Sequence, residues 1–308
     1  MGQNSILPRV TVVIPVHNRR VKTLRCLKSL FNAKNSNHEL SVIVVDDGSS
    51  DGTAEAISQC YPQVRVISGT GNLLWTGAVN VGIKEALDTG TNFVLILNDD
   101  SVHEVNFINN LVSCSKEHNG AITGAKILYL SKRQIIRFAG ADWNIFKWGW
   151  HYPHNLLESS CLGATSFKVK SINGNCCLIP ADVFNRIGLY DEVNYPHLYA
   201  DSAFTIQAGK SGIPLFIEPR ATIWDDDTDI AEKLTGPSLD GVSLIKYVFT
   251  RKTSPYYFRA FFLFTITTAP LMLGGFILYC IRMSRISLRI LLSIVGLRAF
   301  YQNHGSVK

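Results

Sequence analysis

The chain has 308 residues, 46% of them hydrophobic and 18% charged, with a formal net charge of +6. That length holds one large domain, or one domain with an appendage. The composition excludes disorder and collagen-like repeats, and so modest a charge excess requires no nucleic-acid partner. The seven cysteines, Cys26, Cys60, Cys114, Cys161, Cys176, Cys177 and Cys280, form no C-x-x-C pair, and no histidine stands at zinc-ligand spacing. Such a scattered, odd set predicts buried thiols in a reducing compartment. Residues 1–10 carry no apolar run, so no secretory leader is expected and the catalytic part is expected in the cytosol.

Residues 10–14 (VTVVI) are β-branched and end at Pro15, which predicts a buried strand. Leu24, Leu27, Leu30 and Phe31 have helical spacing over 22–31. A second buried strand, 40–45, closes on the polar turn DDGSSDG at 46–52. A helix over 53–60, a strand over 64–67, a helix over 77–87 and a strand over 93–97 follow. Strands alternating with helices on short loops predict a parallel sheet covered on both faces. Sheets of this kind bind ligands at the carboxyl ends of their strands. Three of the four strands end there in polar sequences: Pro15-Val16-His17-Asn18, Asp46-Asp47-Gly48 and Asn98-Asp99-Asp100. Beyond residue 120 the pattern loosens. Trp143, Phe146, Trp148, Trp150 and Tyr152 cluster, suited to stacking on sugar or to core or lid packing. The turn Asn173-Gly174-Asn175 precedes a strand at 176–179. Short helices are predicted at 182–187 and 202–209, and short strands at 215–217 and 221–223.

Carboxylates and amides at a strand end are the hard oxygen ligands that Mg²⁺ or Mn²⁺ prefers. A metal held by Asn98, Asp99 and Asp100 would bridge diphosphate oxygens. On residue type alone, an acidic turn or helix cap fits the same three residues. Asp46 or Asp47 can accept from a base N–H, while the neighbouring glycines let backbone approach a ligand. Asp51 or Thr53 suits the N-cap of the next helix.

Four segments, VTVVIPVHNR (10–19), VIVVDDGSSDGT (42–53), GNLLWTGAVNVGI (71–83) and FVLILNDDS (93–101), together resemble the family 2 glycosyltransferases. The similarity runs from about Val10 to about Trp224. It is nearest to the bacterial surface-polysaccharide branch with an L-W-W-T-G loop, here Leu73-Leu74-Trp75-Thr76-Gly77. The resemblance implies an α/β GT-A fold, with a mostly parallel central sheet flanked by helices. This domain would occupy 1–230, and 231–308 would form an apolar helical, membrane-associating appendage. It places Pro15, Val16, Asn18 and Asp46 or Asp47 at the nucleotide, with Asn72, Trp75, Gly77 and Asn80 lining the nucleotide-sugar pocket. The family's D-x-D motif falls on Asn98-Asp99-Asp100, with Asp100 as the metal ligand. Asp201 matches the catalytic base, on a helix N-terminus whose dipole favours its ionised form. Asn173-Gly174-Asn175 falls near the acceptor side. Two positions depart from the pattern, Ala203 in place of a second acid and Gln207 in place of an arginine. The stretch from Trp224 to Asp227 stands where relatives often carry a metal- or diphosphate-binding histidine, and the role of its three aspartates stays open.

Residues 260–281 carry no charge, a length that can cross a bilayer. Pro270, Gly274 and Gly275 interrupt it, and both flanks are basic, so no orientation bias results. A re-entrant or interfacial helix pair followed by the basic stretch 286–300 fits as well as one span, and a buried helical pair fits the same residues. Basic residues there favour an anionic inner leaflet.

The resulting expectation is an inverting, metal-dependent hexosyl- or deoxyhexosyltransferase at the cytoplasmic face of the membrane. Its donor would be a UDP- or dTDP-type nucleotide sugar, and its acceptor a lipid-linked oligosaccharide or polysaccharide. A nucleotidyltransferase needs a Gly-rich basic loop after the first strand, and His17-Asn18-Arg19-Arg20 has no glycine. Ala203 and Gln207 keep open a non-catalytic or weakly active sugar-nucleotide-binding assembly protein.

Overall fold

The computed structural model describes residues 7–33, 37–144, 149–227, 249–254, 257–269 and 272–294. Within the predicted alternating region, β1 (Arg9–Val16), α1 (Arg20–Phe31), β2 (Glu39–Asp46), α2 (Thr53–Cys60), β3 (Arg65–Ser68), α3 (Leu74–Asp88) and β4 (Phe93–Leu97) follow in order. These four strands are parallel, with β1 between β2 and β4. The first strand does not stop at Pro15. Pairing with β4 ends at Val13, and Pro15 is paired with β2 alone, opposite Val45. A proline is tolerated where one side of a strand is free.

The second half adds β5 (Ser101–His103), α4 (Phe107–Glu117), β6 (Ile122–Tyr129), β7 (Ile136–Phe138), β8 (Asp142–Asn144), β9 (Gly149–His151) and β10 (Phe167–Lys168). After these come β11 (Cys176–Pro180), α5 (Ala181–Ile187), α6 (Ala200–Lys210) and β12 (Leu215–Asp225). The main sheet runs β10-β12-β6-β11-β4-β1-β2-β3. Its second half is mixed: β11 is antiparallel to both β4 and β6, while β12 is parallel to β6. The two short strands expected over 215–223 are one strand, broken in register by a bulge between Glu218 and Thr222. Trp143 and Trp150 meet edge-on at 5.8 Å across the β8–β9 hairpin, while Phe146 and Trp148 lie outside the described residues.

Side chains alternate across each strand. Val10, Val12 and Ile14 join a buried cluster with Leu27 and Leu30 of α1 and Phe107 and Leu111 of α4. On the opposite face α3 lies so close that a Cβ on Gly82 would meet Val13 Cγ1 at 2.3 Å. Four cysteines are buried, but Cys60, Cys161 and Cys280 are exposed, contrary to the expectation for the whole set.

The chain divides into two compact units, Met1–Asp229 and Ile230–Lys308. In the second, α7 (Phe258–Thr268) and α8 (Met272–Ile294) form an antiparallel pair. The uncharged run is thus split rather than continuous. Ala269, before Pro270, is extended, as the residue preceding a proline prefers. No helix among the described residues is both long and apolar enough to cross a membrane.

Gly82→Val is expected to cost about 1–3 kcal/mol through overpacking against Val13, read as a lower urea midpoint at unchanged m-value.

Candidate active site

The carboxyl ends of β1, β2 and β4 meet on one edge of the sheet. At the first two, the polar turns hold each other. The Asn18 N–H donates to Ser49 Oγ at 2.8 Å, and Asn18 Oδ1 accepts from the Ser50 N–H at 2.7 Å. His17 Nδ1 is 2.7 Å from the Asp47 carbonyl, which fixes the tautomer that leaves Nε2 to accept from Asn18 Nδ2 at 3.0 Å. Val16 turns its side chain into the core, and its carbonyl accepts the Asp47 N–H; Pro15 is half-buried.

The two aspartates do different work. Asp47 accepts the Gly71 N–H at 2.7 Å and the Leu74 N–H at 3.0 Å, one on each oxygen, and so shapes the loop before α3. Asp46 Oδ1 accepts the Ser49 N–H at 2.9 Å, and its other oxygen finds no partner among the described residues. Leu74, held by Asp47, has φ 56°. A left-handed backbone costs a leucine about 1–2 kcal/mol, and such strain collects at functional sites. Asn18 (φ 52°) and Tyr199 (φ 73°), beside Asp201, share this conformation.

The helix α3 begins three residues before the predicted position, so Trp75 and Gly77 are helical rather than part of an open loop. Asn72 is exposed. Asn80 is buried, and its side chain is engaged within the protein. Its Nδ2 donates to the Tyr190 carbonyl (2.9 Å) and to Glu192 Oε2 (3.0 Å), and its Oδ1 accepts the Tyr190 N–H (3.1 Å).

Beyond β4, the three residues of the acidic turn diverge. Asn98 Oδ1 accepts the indole N–H of Trp75 at 3.2 Å, so the amide oxygen expected to assist a metal is already engaged. Asp99 points inward to Arg19 (3.3 Å) and Thr23 (3.3 Å). Burial pushes its carboxyl up to about 7, against the pull of Arg19 and with a further push from Asp100. Asp100 Oδ2 pairs with Arg19 at 2.8 Å, while its Oδ1 is buried without a partner among the described residues. Across the sheet Asp225 lies opposite Ser101 in the β12–β5 ladder, and the Asp226 N–H donates to the Asp100 carbonyl at 3.1 Å. Asp225 is fully buried. Asn175 Nδ2 and Arg137 (3.2 Å) both bind its Oδ2, and its Oδ1 has no partner among the described residues. Burial first, then the Asp100 charge, raise its carboxyl above the usual range.

No group of three or more His, Cys, Asp or Glu among the described residues is arranged to hold a metal ion. Two orphaned carboxylate oxygens, on Asp100 and Asp225, nevertheless suit a hard cation that takes its remaining ligands from a diphosphate and water, as Mg²⁺ commonly does.

Asp201 is the second residue of α6. Its Oδ2 accepts the Gly174 N–H at 2.8 Å and its Oδ1 the Ser202 N–H at 2.7 Å. Burial nevertheless raises its carboxyl above the ordinary range, so desolvation outweighs the helix-end effect expected from the sequence. The Trp75 ring lies against Gly174, where a Cβ would meet Cζ2 at 2.5 Å. One indole therefore touches both the acidic turn and the loop that holds Asp201. Ala203 is an ordinary helical residue of α6, and Gln207 reaches the Ile187 carbonyl at 3.5 Å.

Arg19, Arg137 and Tyr190 join this constellation without a role assigned to them from the sequence, and Asn175, expected near the acceptor side, joins it at Asp225. Arg19 closes the first quoted segment and Asn175 the Asn-Gly-Asn turn. Arg137 lies in the irregular stretch, with no local signal. The Tyr190 ring meets Trp75 edge-on at 5.9 Å, and its buried hydroxyl has no partner among the described residues.

Fold and site together define an α/β protein with acidic and amide groups gathered at its strand ends. The sequence profile of glycosyl transferase family 2 matches residues 11–184, and the chain belongs to that family. It is 24% identical over 240 residues to a probable glycosyltransferase, YdaM, of Bacillus subtilis, covering 72% of this chain and 52% of that protein. It is 29% identical over 196 residues to an N-acetylglucosaminyl-diphospho-decaprenol L-rhamnosyltransferase of Mycobacterium tuberculosis, covering 56% and 62%. The matches thus span about half to three fifths of these relatives' own lengths. The crystal structure of GalNAc-T7 with UDP, GalNAc and Mn²⁺ superposes with a TM-score of 0.59 at 17% identity, over 73% of this chain and 44% of that one. The fold is GT-A.

Because Asp99 binds its proton more tightly folded (about 7) than unfolded (about 4), stability falls as pH rises between those values. Above that interval the penalty is complete. Asp99→Asn is expected to show a shallower decline of Tm across the interval in thermal scans.

Proposed function

We propose that this chain is an inverting glycosyltransferase. It moves a hexose or deoxyhexose from a UDP- or dTDP-type donor to a hydroxyl of a lipid-linked oligosaccharide or polysaccharide, at the cytoplasmic face of the membrane during surface-glycan synthesis. The Trp75 bridge carries the reading. It couples Asn98, at the turn proposed to face the diphosphate, to Gly174, which holds the proposed base Asp201. Displacement with inversion needs such an opposition, with a carboxylate near the attacking hydroxyl and the leaving diphosphate beyond the anomeric carbon.

Asp46, with its spare oxygen, takes the nucleobase N–H, while Asp47 fixes the loop before α3. Asp201 accepts the proton of the acceptor hydroxyl as that oxygen attacks the anomeric carbon. Its burial raises its proton affinity, which suits a general base. Arg19 and Arg137 offset the carboxylates around the diphosphate. Mn²⁺ or Mg²⁺ would be held by Asp100 and Asp225 and would supply charge neutralisation of the leaving diphosphate. The lipid-linked acceptor is supported by the name of the rhamnosyltransferase relative.

Incubation with a panel of nucleotide sugars and Mn²⁺ should release nucleoside diphosphate from at least one. No release from any would favour the non-catalytic assembly role. With the productive donor, Asp201→Asn should retain donor binding and lose at least about 100-fold in transfer; wild-type turnover would refute the assignment. Asp100→Ala is expected to weaken donor binding only when Mn²⁺ is present, by calorimetry with and without the metal.

A further inference from the structure

Charge is divided unequally along the chain. Residues 241–308 contain nine lysines and arginines and no aspartate or glutamate. Since the whole chain is +6, the preceding 240 residues carry −3. Inside the basic segment, α7 and α8 pack closely. A Cβ on Gly275 would lie 2.7 Å from the Thr265 carbonyl, and the Tyr279 ring meets Phe262 edge-on at 4.9 Å. That packing uses only one face of α8. Its other face presents Leu273, Phe276, Ile277, Ile281 and Leu288, all exposed, from 42% for Ile277 and Ile281 to 73% for Leu273. Their spacings of three, four and seven place them in one stripe, while Arg282 falls on the far side of the helix and Arg285 flanks the stripe beside Ile281 and Leu288. The Arg282 guanidinium lies 6.0 Å from the Phe261 ring of α7.

We propose that the α7–α8 hairpin is a monotopic membrane anchor. The Leu273–Phe276–Ile277–Ile281–Leu288 face of α8 enters the headgroup boundary of an anionic bilayer, and the arginines stay at the phosphates. The inference rests on the proposed membrane setting of the acceptor and names the surface that delivers it. An amphipathic helix with an arginine-bearing side lies in the interface plane, and α8 would extend along it for on the order of 35 Å. A second copy is a poor occupant, because two basic segments with no carboxylate would face each other. Nucleic acid would attract the arginines but gain nothing from the aliphatic stripe. A span is disfavoured because the apolar run breaks into two helices.

The test sediments the full chain with vesicles of phosphatidylcholine alone and of phosphatidylcholine with phosphatidylglycerol. Binding to the mixed vesicles is expected, weakening as salt screens the arginines. Phe276→Glu/Ile277→Glu should reduce it at least about tenfold, and Phe276→Trp should emit further to the blue with vesicles than without. Should the double glutamate variant fail to fold by circular dichroism, Arg282→Glu/Arg285→Glu takes its place and should lose the preference for phosphatidylglycerol. A wild-type chain that stays in the supernatant overturns the proposal, as does a dimer that ignores vesicles, or unchanged binding by a folded variant. Donor hydrolysis is read in the same samples. Its absence alongside intact vesicle binding counts against the transferase reading alone, and loss of binding with intact hydrolysis counts against the anchor alone.

Discussion

Antiparallel pairing of β11 with β4 sets Cys176 opposite Leu97, and one step further the Asn98 N–H donates to the Asn175 carbonyl at 3.1 Å. Three relations at the site follow from that step. It brings Asn173-Gly174-Asn175 beside Asn98-Asp99-Asp100, gives Asp201 the Gly174 N–H, and lets Asn175 reach Asp225. A slip of one residue would turn each side chain to the opposite face of the sheet and separate the proposed base from the acidic turn. The pairing is secured by five buried residues on each strand, so the site inherits its geometry from the core.

Electrostatics explains why this edge tolerates four neighbouring aspartates. Arg19 binds both Asp99 and Asp100, Arg137 binds Asp225, and Arg25 binds Asp226 at 2.6 Å. Buried carboxylates without such partners would be expected to take up protons. Compensation is incomplete, and the raised proton affinities of Asp99 and Asp225 register the remainder. The unmatched oxygens on Asp100 and Asp225 belong to that same shortfall.

Much of the parallel half was legible in the sequence, because each strand is a short apolar run that ends abruptly in polar residues. The later half was less so. The bulge in β12 comes from Glu218-Pro219-Arg220, where Glu218 folds back on Arg220 at 2.8 Å, and a proline within an apolar pattern reads as a break. The early start of α3 depends on Asp47, 27 residues before Leu74. The partners that hold Asn80, Tyr190 and Glu192, lie more than a hundred positions away and leave no local signal. Local pattern records a residue's chemistry, while long-range packing decides where that chemistry points.

The hydrogen bonds that Asn18, Asp47 and Asn80 close within the protein bear on which nearby positions can change. These residues hold the strand-end turns and the start of α3 in place, so they serve this protein as scaffold. Outward positions such as the exposed Asn72 are free of that duty. Substitution there leaves the hydrogen-bonded network, and with it the strand ends, in place, so the surface of this edge can change in chemistry while its frame stays fixed.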